Sequence, residues 1–184
     1  GRTDTGVHAL RQYVNVQVEK KIPERNVQRA LNSLLPENIL IRRVQYVALD
    51  FNARYSAQRR CYVYTLYVGE NLPIYLRKYV WWLPDLALKL PAMKKAANLL
   101  KGQKDFSAFC AANSAFENKV RRIYRSSLKI SRLPEWPGLA QKAKGYFLVY
   151  QIEANAFLYH MVRNIVGALA EVGRGRLSLR ELQE

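Results

Sequence analysis

The sequence predicts an α+β protein, and three observations carry that prediction. Strand-like and helix-like periodicities follow one another as strand, helix, strand, and they do so twice. Neighbouring strand candidates sit at hairpin-like spacing, which argues against a doubly wound parallel sheet. The composition, 49% hydrophobic and 11% aromatic, can fill a core and excludes a generally disordered chain. At 184 residues the expectation is one compact unit, or two small ones sharing a sheet.

The elements follow in order. Val14, Val16 and Val18 alternate with Tyr13, Asn15 and Gln17, the pattern of a strand with one buried face. After Pro23, the residues Val27, Ala30, Leu31, Leu34 and Leu35 recur at helical spacing until Pro36. Residues 39–48 read as a second strand. A loop over 50–57, with a seam near 50–60, leads to a third from Tyr62 to Val68, where Tyr62, Tyr64, Leu66 and Val68 share a face. Met93, Ala96, Ala97 and Leu100 mark a helix opened by Pro91 and closed by Gly102.

From Lys119 to Arg132 the chain is basic and lacks any acid. At period two, Lys119, Arg121, Arg125 and Lys129 share a face opposite Val120, Tyr124, Leu128 and Ile130, and Ile123 breaks the rule. A loop with Pro134, Pro137 and Gly138 joins this strand to another, Tyr146–Ala154. A long helix from about Ala156 to Val172 then ends at Gly173. Ser178 and Glu181 stand at capping-box spacing, as if starting one more helix that stops before burying itself. Gly1 is no initiator, and both ends read as cuts through a longer protein.

Charge narrows the partners. Thirty Lys+Arg against 14 Asp+Glu give a formal charge of +16, which favours a polyanion such as RNA or DNA over a membrane surface. No apolar run reaches the ~18 uncharged residues of a membrane span; the best candidate, 157–172, contains His160, Arg163, Asn164 and Glu171. Cys61 and Cys110 lie far apart without metal-ligand spacing. They suit a reducing compartment such as the cytoplasm rather than a disulfide scaffold or zinc site. The basic strand is the candidate RNA-backbone contact, with Lys119, Arg121 and Arg125 as its leading residues and Arg59, Arg60, Lys142 and Lys144 as additions. Its bland alternative is a solvated face.

Chemistry has few carriers. No P-loop, G-x-G-x-x-G or G-x-S-x-G occurs, and Asp4, Asp50, Asp85 and Asp105 are the only aspartates. Asp4 stands out: Gly1 and Gly6 bracket it, Thr3 and Thr5 can tie the turn, and Arg2 is close in sequence. The bland reading is a β-turn in which Asp4 bonds only its own backbone. Asp4-Thr5-Gly6 also matches the D-T-G of aspartic proteases. That chemistry needs a second carboxylate sharing one proton, and no second such triplet occurs.

The longer string Gly1-Arg2-Thr3-Asp4-Thr5-Gly6-Val7-His8-Ala9 resembles the R-T-D-x-G-V-H-A signature of TruA-type tRNA pseudouridine synthases. Four more blocks resemble that family in order. They are residues 50–57 (D-F-x-A-R-x-S-A), 60–64 (K/R-x-Y-x-Y), 105–109 (D-F-S/T-S-F) and 154–167 (N-A-F-x-x-H-M-V-R-N-I-V-G). The resemblance implies two ferredoxin-like halves forming one extended, mostly antiparallel sheet. Residues 1–55 would be the remainder of the first half and 56–184 an incomplete second half, with a catalytic cleft between them.

It also implies isomerisation of uridine to pseudouridine at positions 38 to 40 of the tRNA anticodon stem-loop, without cofactor or metal, by a homodimer. Asp4 becomes the catalytic carboxylate and Arg2 helps to extrude the base. Tyr62 stacks on the flipped uracil, and Arg163 pairs with Asp4. Tyr62 as a core aromatic and Arg163 as a solvated helix residue are the plain alternatives. His8 and His160 read as structural, and Phe157 as packing or lining. A different class also fits: an RNA-binding sheet that holds RNA without altering it. Against that reading, a carboxylate beside a polyanion serves no binding purpose.

Overall fold

The computed structural model of the chain describes residues 3–84, 87–111, 117–131 and 145–183. They belong to two compact units, Gly1–Ala57 and Gln58–Glu184.

The first unit holds one helix, α1 (Glu24–Leu34), which starts immediately after Pro23, where a fixed φ suits a helix entry. None of its residues is fully buried. Residues 13–18 and 39–48 form no ladder, contrary to the alternation that predicts strands there. The hydrogen bonds explain the second case. Ile41 N–H donates to Asn32 Oδ1 (2.7 Å), and Asn32 Nδ2 returns a bond to Ile41 O (3.1 Å). Gln28 Nε2 donates to Ile41 O and Arg42 O, and Tyr46 N–H donates to Glu24 Oε1. Side chains of α1 thus take backbone groups that a neighbouring strand would otherwise satisfy. Residues 13–18 are laddered to nothing described, and Val14 and Val16 are 75% and 78% exposed.

In the second unit a mixed five-stranded sheet carries two helices, which places the chain in the α+β class. Its strands are β1 (Arg60–Gly69), β2 (Trp81–Leu83), β3 (Gly102–Asp105), β4 (Val120–Ser131) and β5 (Gly145–Ala154), in spatial order β2-β1-β5-β4-β3. Among the described strands only β1 and β2 are parallel. Rows such as Tyr62↔Ile152 and Leu66↔Leu148 put alternate residues toward α2 (Leu90–Leu99) and α3 (Met161–Arg174). There Met93, Ala96, Ala97, Met161, Ile165 and Leu169 complete the core. The two helices come close where Gly173 faces Met93: a Cβ on Gly173 would lie 2.6 Å from the Met93 sulfur. So Gly173 packs inside α3, and the helix is closed instead by Gly175 at φ +73°.

The irregular Ile123 has a geometric cause. Ile123 pairs with Ala154 and Arg125 pairs with Glu153, so Tyr124 is an extra residue in a β-bulge. A bulge switches which parity faces the core. Before it Arg121 and Ile123 point inward; after it Ser126 and Leu128 do. The predicted single basic face, Lys119-Arg121-Arg125-Lys129, is therefore split, with Arg121 half-buried and Arg125 and Lys129 exposed. The expected helix start at Ala156 also shifts, because 155–160 is a loop and α3 begins at Met161. Past α3 the capping box forms, with Ser178 N–H on Glu181 Oε2 and Glu181 N–H on Ser178 Oγ. Turns follow rather than a helix, and Leu177, Leu179 and Leu182 pack on the core. Among the described residues no helix is long and apolar enough to cross a membrane.

Candidate active site

Asp4 opens a β-turn. Its carbonyl accepts from Val7 N–H at 3.1 Å, and Gly6 takes φ +80°, the third-position geometry of a type II turn that only glycine adopts freely. The Asp4 side chain is half-exposed and His8 is exposed. Arg2 lies outside the described residues.

The 50–57 block is a self-tied loop. Asn52 Oδ1 accepts from the backbone N–H groups of Arg54 (2.9 Å) and Tyr55 (3.2 Å), while Ser56 Oγ accepts from Asn52 N–H. Ala53 is buried, and its N–H donates to Asn15 Oδ1 at 2.9 Å, which holds this loop to the 13–18 segment.

In the second unit the chemistry-bearing residues gather where β5 runs out into α3. Tyr62 sits half-buried on β1, and the Phe157 ring meets it edge-on at 5.1 Å and 86°. Arg60 Nη1 donates to the Asn155 carbonyl at 2.6 Å, so this predicted RNA contact also anchors the loop. His160 enters α3 in the left-handed region at φ +58°, with its ring stacked on Tyr159 at 3.8 Å. Such a conformation in a non-glycine residue costs about 1–3 kcal/mol and is kept only where the surroundings impose it. Arg163 follows in the first turn of α3, exposed.

The 105–109 block supports that turn from below. Asp105 Oδ1 accepts from both the hydroxyl and the N–H of Ser107, which together hold its carboxyl below the usual value. Phe106 is buried beside Phe109, whose carbonyl accepts from Asn164 Nδ2 at 3.0 Å. Ala111 N–H donates to Tyr159 O. This block thus touches the first turns of α3 through the Phe109 carbonyl and Asn164.

The basic residues divide by the bulge. Lys119 is half-buried and its carbonyl accepts from Phe106 N–H. Arg121 is turned inward, donates to the carbonyls of Asn118 and Val120, and is pulled down from its ordinary pKa by burial, which Cys110 partly opposes. Arg122, Arg125 and Lys129 are exposed on β4, on the sheet face away from the helices. Two guanidiniums approach the Tyr124 ring, Arg59 at 4.5 Å and Arg122 at 5.8 Å from its centre. Arg59 also bridges to Glu153 at 3.1 Å. Lys142 and Lys144 lie outside the described residues. Sequence reasoning gave no site role to Arg122, Tyr124 or Asn155; the break at Ile123 was the available signal for the first two. Among the described residues no three of His, Cys, Asp and Glu come together to hold a metal ion.

A family model described as tRNA pseudouridine synthase matches residues 96–184. Over 184 residues the chain is 36% identical to tRNA pseudouridine synthase A of Thermodesulfovibrio yellowstonii, covering 100% of this chain and 71% of that protein. It is 40% identical over 176 residues to tRNA pseudouridine synthase A of Caldicellulosiruptor saccharolyticus, covering 96% and 66%. With that of a Thermoanaerobacter species the identity is 39% over 183 residues, covering 100% and 69%.

Proposed function

The chain belongs to the tRNA pseudouridine synthase family, whose members isomerise uridine to pseudouridine in tRNA, and from that premise we propose that it does so with Asp4 as the catalytic carboxylate. The substrate region is the anticodon stem-loop, positions 38 to 40. The N1–C1′ bond breaks, the uracil turns, C5 bonds to C1′, and the C5 proton is lost as N1 gains one, so the product is an isomer. Uracil in a stem is out of reach, so the nucleoside must first be everted at a cost of about a few kcal/mol.

One observation carries the assignment of Asp4. It heads an exposed turn whose glycine permits the required φ, in the block where the chain resembles the family signature. Tyr62 receives the uracil ring; it packs against the core beside Phe157 but is only half-buried, which leaves part of its ring accessible. Arg163 is the proposed partner of the Asp4 carboxylate, a bidentate role lysine cannot fill. Arg2 assists extrusion. The active form is a homodimer acting on one tRNA; the described sheet lies wholly within 58–184. Arg60, Lys119, Arg121 and Arg125 remain the proposed RNA contacts. The bulge favours Arg125, together with Arg122 and Lys129, over the inward Arg121. Each phosphate neutralised adds about 0.7–0.9 to the salt slope of binding.

A second reading, an RNA-binding module without turnover, is favoured by the exposed Tyr124 with two guanidiniums near its ring on an open sheet face. Tritium release from tRNA carrying 5-tritiated uridine separates the two. Wild type should release tritium, and Asp4→Asn should lose roughly 10³-fold or more of the rate while still retaining tRNA on a filter. Binding without release by the wild-type chain would establish the module instead.

A further inference from the structure

Asn155 sits between β5 and the loop that carries Phe157, and it makes three bonds to two other strands. Its N–H donates to the Arg122 carbonyl at 3.1 Å, and its Oδ1 accepts from Arg122 N–H at 2.9 Å. Its own carbonyl accepts from Arg60 Nη1 at 2.6 Å. The pair of bonds with Arg122 imitates one more rung of the β4–β5 ladder, with a side-chain oxygen replacing the backbone carbonyl. The main chain is thereby released from the sheet direction while the rung is kept. The rung lies just before the bulge at Tyr124, where the β4 backbone is already irregular.

The consequence falls on Phe157. Only Ala156 separates it from Asn155. On its other side Leu158 is buried, and the carbonyl of Tyr159 accepts from Ala111 N–H. Phe157 is therefore stretched between two anchors, and the Asn155 rung is the one nearer the sheet. Loss of the Oδ1 bond to Arg122 N–H loosens that anchor and lets the ring leave the edge of Tyr62.

We propose that Asn155 is a positioning residue for the isomerisation: its side-chain rung to Arg122 holds Phe157 against Tyr62 and so fixes the aromatic wall of the site. The relevance to turnover rests on the reading of Tyr62 given above; the mechanical claim does not.

The test uses the full chain with 4-fluorophenylalanine in place of phenylalanine, the Phe157 resonance being assigned with Phe157→Leu. Asn155→Ala should move that resonance toward the solvent-exposed value. Asn155→Asp, which keeps an oxygen for the Arg122 N–H, should restore it. In single-turnover tritium release Asn155→Ala should be slower by about tenfold or more, because a wall misplaced by a fraction of an ångström spoils the near-attack geometry. Its tRNA Kd should stay within about twofold, and Asn155→Asp should recover most of the rate. Asn155→Ser, polar but too short to span to Arg122, replaces the alanine variant if that one does not fold. An unmoved Phe157 resonance in Asn155→Ala or Asn155→Ser would overturn the proposal, as would equal damage in the alanine and aspartate variants. A moved resonance with unchanged turnover would leave the rung standing and remove its link to catalysis, and with it the role given to Tyr62.

Discussion

The two units of this chain solve the problem of backbone satisfaction in opposite ways. In 58–184 the ladders β1–β5 and β4–β5 saturate each other over long runs, and the apolar rows they create are roofed by α2 and α3. In 1–57 the described backbone leans on side chains: Asn32, Gln28 and Glu24 of α1 bond the 39–48 segment, and Asn15 holds the loop at Ala53. The same alternation of apolar and polar residues thus yields a strand in one unit and an unladdered segment in the other. Alternation fixes which side chains share a face. Strand pairing needs a neighbour with free donors and acceptors, and burial needs a roof.

The largest expected effect tests whether stability is concentrated in the second unit. Ile165, fully buried between α3 and the sheet, should cost about 2–5 kcal/mol on truncation to alanine. Denaturant unfolding checks this, and native-state hydrogen exchange sharpens it. Amides of 148–152 should exchange only on global opening, whereas those of 14–18, which have no ladder, should exchange fast. Comparable protection in the two segments would break the contrast.

Legibility followed the same division. Met93, Ala96 and Ala97 foretold the buried face of α2, and Val68, Leu66 and Tyr64 foretold a face of β1, because those periods were matched by a covering surface. Val14, Val16 and Val18 gave an equally clear period, but periodicity contains no information on what lies opposite. The bulge at Tyr124 was visible only as the misplaced Ile123, and a bulge reverses every later inside–outside assignment, so the basic face came out mixed. Asp4, Tyr62 and Arg163 were nominated as site residues through resemblance alone. Asn155 was not, because its part depends on reaching a strand more than thirty residues away.

An intermediate effect comes from the buried polar pair in the second unit. Ser126 and Tyr150 share a hydrogen bond of 2.8 Å beneath the helices. Ser126→Ala or Tyr150→Phe alone strands a buried group and should cost about 1–3 kcal/mol, whereas the double substitution should recover part of it. Burial raises the Tyr150 phenol, and the bond to Ser126 acts weakly in the opposite direction. In the unfolded chain the phenol titrates near its ordinary 10.0. Below that pH both states hold the proton and the stabilisation is complete. Above it the unfolded chain loses the proton first, so stability falls as pH rises. Urea midpoints measured across the alkaline range should therefore decline for wild type and decline less steeply for Tyr150→Phe. Parallel curves would mean that the phenol ionises as readily folded as unfolded.

The smallest expected effect is the most telling for the first unit. Val16 is 78% exposed on a segment with no ladder, so Val16→Thr, which keeps shape and exchanges a methyl for a hydroxyl, removes almost no buried apolar surface. Substitutions of that kind stay within about 0.5 kcal/mol. The same change at Val68 on β1, which is fully buried, puts a hydroxyl into the core and should cost about 1–3 kcal/mol. Urea unfolding of the two variants, run side by side on the full chain, measures the difference directly. If Val16→Thr proves as damaging as Val68→Thr, the valine row of 13–18 is covered in solution, and the first unit then owes its order to a packed face in the same way as the second.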